Sequence, residues 1–154
     1  MPLKPVPATG TLTASILENE ALGIRRRMYF SVSVPVTVPH KGKTRATEVF
    51  LDLIRLDADG CDDLDGKTYW FPVNPAAGYI EGYILLEGED HAVDCTRIAF
   101  GTLKGDRVPV ELSLRIEFVG TGDSGESEEL VLRTGLAFDR KELERVFAES
   151  LRPV

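Results

Sequence analysis

Val108, Val110, Leu112, Leu114, Ile116 and Phe118 occupy every second position, with Pro109, Glu111, Ser113, Arg115 and Glu117 between them. Successive side chains of an extended strand point to opposite sides of a sheet, so this stretch predicts a strand with one apolar and one polar face. A helix would spread the same six apolar residues around its circumference. The alternation recurs along the chain. Leu12, Ala14 and Ile16 mark a strand over 11–17, and Met28, Phe30, Val32, Val34, Val36 and Val38 mark a longer one. Pro35 lies inside that second set and has no N–H to donate, which predicts a sheet edge or a bulge there.

Further strands are predicted over 45–58, 67–73, 80–86, 92–103 and 130–138. Two of them change phase. Val49, Leu51 and Leu53 share one parity while Ile54 and Leu56 take the other, the signature of one inserted residue and hence of a β-bulge near Leu53-Ile54. A similar slip falls between Cys95 and Ile98. Polar turns separate the strands at His40–Lys43, Asn74–Gly78, Gly88–Asp90 and Lys104–Asp106, and a ten-residue polar loop spans Gly120–Glu129.

At its end the chain changes period. Leu143, Val146, Phe147 and Leu151 are spaced as one face of a helix, and Asp139 followed by Glu142 has the spacing of an N-terminal capping box. The prediction is an all-β chain: an antiparallel two-sheet β-sandwich, or a barrel-like fold, of seven to nine strands with one amphipathic helix at about 140–151. Residues 1–9 read as a Pro-rich extended arm, and 10–154 as one domain.

Composition narrows the classes. A chain of 154 residues buries a sizeable core without staples, and its two cysteines, Cys61 and Cys95, are too few for a disulfide scaffold. No apolar run approaches the ~20 residues a membrane helix needs, and the first residues lack the apolar stretch of a secretory signal. These readings predict a cytoplasmic protein. Twelve Arg against six Lys and the absence of Gln suggest a bacterial source.

The net charge of −7 is unevenly spread. From Arg25 to Thr47 there are six Lys/Arg and no acid, a sum of +6. From Glu48 to Cys95 there are twelve Asp/Glu against two Lys/Arg, a sum of −10. An acidic surface of this kind steers a basic partner and argues against nucleic acid.

Sequence motifs for chemistry are thin. Gly122-Asp123-Ser124-Gly125 has the letters found around the nucleophile of trypsin-like serine proteases, but Glu126 follows where that motif has Gly. His40 follows Pro39 in a basic turn and lacks the residues that flank a triad histidine, so the match is coincidental. Phosphate-loop, dinucleotide and His-Glu-x-x-His patterns are absent, and no cofactor is expected.

Asp57, Asp59, Asp62, Asp63 and Asp65 crowd beside Gly60 and Gly66, a weak candidate for Ca²⁺. The EF-hand pattern fails, because Cys61 and Thr68 fall where its fifth and twelfth ligands belong, so a solvated turn is the expectation. His91 reads as a turn residue. Cys61 has acidic neighbours that raise a thiol pKa, the wrong direction for a nucleophile.

The remaining signal is aromatic. Tyr69, Trp70, Tyr79 and Tyr83, with Glu81 between the last two, could form a binding face for a protein or a sugar. The leading expectation is a non-enzymatic interaction protein that binds a protein partner or self-associates. The alternatives are a ligand- or carbohydrate-binding module on the aromatic face, and an enzyme whose residues meet only in three dimensions. A homodimer would bury either the Met28–Val38 edge or the Tyr79/Tyr83 face, unless the N-terminal arm or the C-terminal helix covers that edge within one subunit.

Overall fold

Residues 4–40, 42–118 and 127–152 are described by a computed structural model; the 122–125 tetrapeptide and most of the predicted 120–129 loop lie outside them. The alternating stretches become β1 (Val6–Pro7), β2 (Gly10–Asn19), β3 (Ile24–His40), β4 (Lys43–Ile54), β5 (Thr68–Trp70), β6 (Glu81–Leu86), β7 (Glu89–Phe100), β8 (Arg107–Glu117) and β9 (Ser127–Ala137). One helix, α1 (Arg140–Ser150), follows. Among the described residues no helix is long and apolar enough to cross a membrane.

All nine strands belong to one sheet rather than two. Its neighbours run β3-β2-β9-β8-β7-β6-β4, and β4 pairs back with β3, so the path closes into a ring of seven strands. The short β1 and β5 lie beside β3 and β7. The expected all-antiparallel arrangement is also corrected. β2 and β9 pair in parallel through Gly10↔Leu136 and Thr11↔Ala137, and these two rungs join the first long strand to the last. Alternation fixes a strand's two faces but not its partner or its direction, which is why the pattern left this open.

Alternate side chains fill one core. β3 contributes Phe30, Val32, Val34, Val36 and Val38, and β8 contributes Val108 through Ile116 at every second position. α1 adds Leu143, Val146 and Phe147, with the Phe147 ring centroid 5.7 Å from that of Phe30. The helix starts where the capping spacing placed it, Asp139 accepting a hydrogen bond from the Glu142 N–H at 3.1 Å. On the outer face, Glu111 of β8 takes Arg97 of β7 and Arg133 of β9 at 2.8 and 2.9 Å, which holds its carboxyl below the usual range.

Both phase slips are bulges. Phe30↔Ile54 and Val32↔Leu51 leave one extra residue on β4, and Leu53 takes a positive φ of 56° there. The Asp52 carboxylate braces the bulge, its Oδ1 accepting from the Leu53 N–H at 2.8 Å and the Ser31 hydroxyl at 2.6 Å. The second lies between Cys95 and Arg97.

β3 is not an edge strand. It has β4 on one side and β1 with β2 on the other. The Pro35 carbonyl accepts from the Ala8 N–H at 2.9 Å. In an extended strand a residue's N–H and C=O point to the same side, so the missing N–H of Pro35 faces the break between β1 and β2. The N-terminal arm thus supplies the covering strand, and the proline sits where its neighbour pauses.

Candidate functional site

β5 is three residues long, and its register with β7 decides which aromatic faces outward. Tyr69 stands opposite Ile98 and Trp70 opposite Arg97. Tyr69 therefore turns toward the core, its ring edge-on to Phe100 at 6.1 Å and its hydroxyl donating to the Asp57 carbonyl at 3.1 Å. Burial first, and then the charges of Asp57 and Asp63, push its phenol above the ordinary range. Trp70 takes the opposite face and is 72% exposed.

The chain after Trp70 is pinned against β7. The Phe71 N–H donates to the Thr96 carbonyl at 2.9 Å, and the Asn74 N–H donates to Oδ1 of the nearly buried Asp94 at 3.3 Å. Trp70, Phe71 and Pro72 line a shallow groove of about 420 Å³ together with Arg55, Leu56 and Asp57. Val73, one residue on, lines a second groove of about 360 Å³ with Thr96, Ser113, Arg115, Glu129 and Val131. Arg115 Nε there is a buried donor with no hydrogen-bond partner among the described residues.

The other expected aromatics are elsewhere. Tyr79 precedes β6, and its hydroxyl pairs with Glu81; that bond, then the Glu81 charge, raises its pKa. Tyr83 packs on Phe50 of β4 at 5.4 Å, beside the exposed Leu85. Tyr83 is level with Ala92 on β7 and Trp70 with Arg97, a separation of five residues, or roughly 16 Å along a strand. The expected aromatics thus reach solvent at two separate places, Trp70 and the Phe50/Tyr83/Leu85 patch. Parity alone could have separated Tyr69 from Trp70, since consecutive strand residues face opposite ways. The lining residues Arg55, Leu56 and Pro72 carried no such signal, because loops bring them in.

The acidic stretch is spent on local structure. Asp63 Oδ2 accepts from the Asp59 N–H at 2.8 Å, and Asp65 Oδ1 from the Leu103 N–H at 2.7 Å. Asp62 pairs with Arg140 at 2.6 Å, fastening the 3₁₀ turn Cys61–Leu64 to α1. Asp57 alone of the five lines the Trp70 groove. No trio of His, Cys, Asp or Glu among the described residues is placed to hold a metal ion. Millimolar Ca²⁺ is therefore expected to leave the melting temperature unchanged. A bound ion at a hundred times its Kd would add about 2.7 kcal/mol and raise it by several degrees.

Both thiols are free and buried. Burial, reinforced by the Glu144 carboxylate, pushes Cys61 up to about 12, and burial pushes Cys95 to about 12. Neither is a thiolate at neutral pH. His91 is a strand residue rather than a turn residue, 5% exposed and edge-on to Phe118 at 5.6 Å. The basic residues also divide: Arg26 and Arg27 sit at the start of β3, while Lys43 and Arg45 pair with its end, on the order of 35 Å away. Arg26 lies 3.9 Å from Glu149 of α1.

No protein-family model matches the chain, and no curated protein or solved structure was found to be similar to it.

Proposed function

We propose that this chain is a non-enzymatic binding protein that receives a protein partner on the outer face around Trp70. The observation that carries the reading is the 72% exposure of the indole on a strand held rigidly by β7. Trp and Arg are the residues that most often dominate protein interfaces, and Arg55 lines the same groove as Trp70. Asp57 in the same groove suits a basic side chain, which could meet the indole face and a carboxylate together. The overall charge of −7 favours approach of such a partner.

A second reading, a sugar- or small-ligand-binding module, draws on the same indole with two polar groups at its rim. One titration separates the two. Trp70 is the only tryptophan, so intrinsic fluorescence reports on this site alone. An oligo-lysine peptide is expected to shift the emission, with a response that weakens in salt and falls on the order of tenfold in Asp57→Asn. A response to neutral oligosaccharides instead selects the second reading. Silence toward both overturns the site.

A further inference from the structure

The outer face of β7, β8 and β9 carries two charged rows of opposite sense. In one, Glu111 of β8 is gripped by Arg97 of β7 and Arg133 of β9. Further along β8, Arg115 stands level with Asp94 of β7 and Glu129 of β9, a base between two acids. This second row is not closed. Asp94 gives its Oδ1 to the Asn74 N–H, Glu129 is exposed, and Arg115 Nε is a buried donor with no hydrogen-bond partner among the described residues. Such a donor is costly to leave unmade, the more so when it is charged. Between the two rows Ser113 of β8 stands level with Val131 of β9, and Thr96 is the extra residue of the β7 bulge. Val73, Thr96, Ser113, Arg115, Glu129 and Val131 line one groove of about 360 Å³, and both valines are exposed. Small-molecule sites start at about 300 Å³.

We propose that this groove binds a free α-amino acid with an aliphatic side chain. A simple anion would meet the carboxylates of Asp94 and Glu129 on either side of Arg115, and a simple cation would meet the guanidinium. A zwitterion answers both. Its carboxylate accepts from Arg115 Nε, a charge-assisted bond, with the Ser113 and Thr96 hydroxyls there for the second oxygen. Its ammonium lies against Glu129. Cross-strand neighbours have Cβ atoms about 4.5–5.5 Å apart, so two groups carried on one carbon can each meet one of the pair. The aliphatic side chain then covers Val73 and Val131, whose apolar surface is otherwise left in water. This inference rests on the Arg115 groove and is independent of the Trp70 reading.

NMR titration of the isotope-labelled chain with L-leucine tests it, read at the Arg115 Nε–H and at the methyl groups of Val73 and Val131. These signals are expected to shift together and to saturate in the millimolar range. Acetate and isobutylamine each carry only one of the two charges and should bind on the order of tenfold more weakly. Glu129→Gln changes an exposed side chain, so it should leave the melting temperature unchanged while weakening L-leucine on the order of tenfold. Arg115→Met should abolish saturation, and Trp70→Ala should leave it intact, which separates this groove from the Trp70 face. The absence of a saturable shift at tens of millimolar L-leucine overturns the proposal. So does acetate binding as tightly as L-leucine, or binding indifferent to Glu129→Gln.

Discussion

Replacing Phe147 with Ala is expected to cost about 3–5 kcal/mol, the range for deleting a fully buried aromatic ring. Phe147 is 1% exposed and meets the equally buried Phe30, so its loss opens a cavity at the centre of the contact between α1 and β3. Leu143 and Val146 share the buried face of α1, and its surface ion pairs add far less. Its Arg145 pairs with Glu142 and Glu149 are exposed on the helix surface, where such pairs contribute about 0.3–0.5 kcal/mol each. Hydrophobic burial therefore decides whether the helix stays docked. Thermal unfolding should show Phe147→Ala melting on the order of 10 °C lower, with Arg145→Ala within a few degrees of the wild type. Equal melting temperatures for the two variants would mean that α1 is not part of the cooperative core.

Gly10→Ala should be among the most costly small changes in the sheet, alongside Gly82→Ala, where a Cβ would stand 2.5 Å from the Val93 carbonyl oxygen. Gly10 takes an ordinary backbone conformation, so its requirement is space. A Cβ there would stand 2.6 Å from the Ser33 carbonyl oxygen and 3.0 Å from Leu136 and Val34 side-chain carbons. The nearest obstacle is backbone and cannot swing away. Overpacking of this kind costs typically about 1–3 kcal/mol and occasionally more. Gly10 sits at the upper end, because it holds one of the two β2–β9 rungs as well as abutting β3. Gly135→Ala supplies the control. Gly135 precedes Leu136 on β9, and a Cβ there meets nothing within 4 Å. That variant should be neutral or slightly stabilising, since glycine in a strand interior carries an entropic penalty. Chemical denaturation of both variants checks the contrast, and comparable losses would show that the seam tolerates an alanine at position 10.

Much of the local structure was legible because it depends on neighbours in sequence. The period-two stretches became strands, the parity change at Leu53-Ile54 became the β4 bulge, and the slip after Cys95 became the β7 bulge. Asp139 and Glu142 placed the helix start correctly. Each of these follows from side-chain geometry within a few residues, which no distant contact can alter without burying polar groups or exposing apolar ones.

Pro35 shows where that reasoning stops. The missing N–H demanded an unpaired position, and an edge strand met the demand as well as a pause between β1 and β2 does. Only the path of the arm chose between them. The aromatic site divides in the same way. Tyr69 and Trp70 had to face opposite sides, but pairing with Ile98 and Arg97 decided which ring was left in solvent. The apolar periodicity of the sequence by itself determined the strands, their faces and the helix. The tertiary structure decided the ring closure, the parallel seam and the exposure of Trp70, because strand partnership is set by long-range pairing and shared burial, and a local pattern of apolar residues is compatible with many partners.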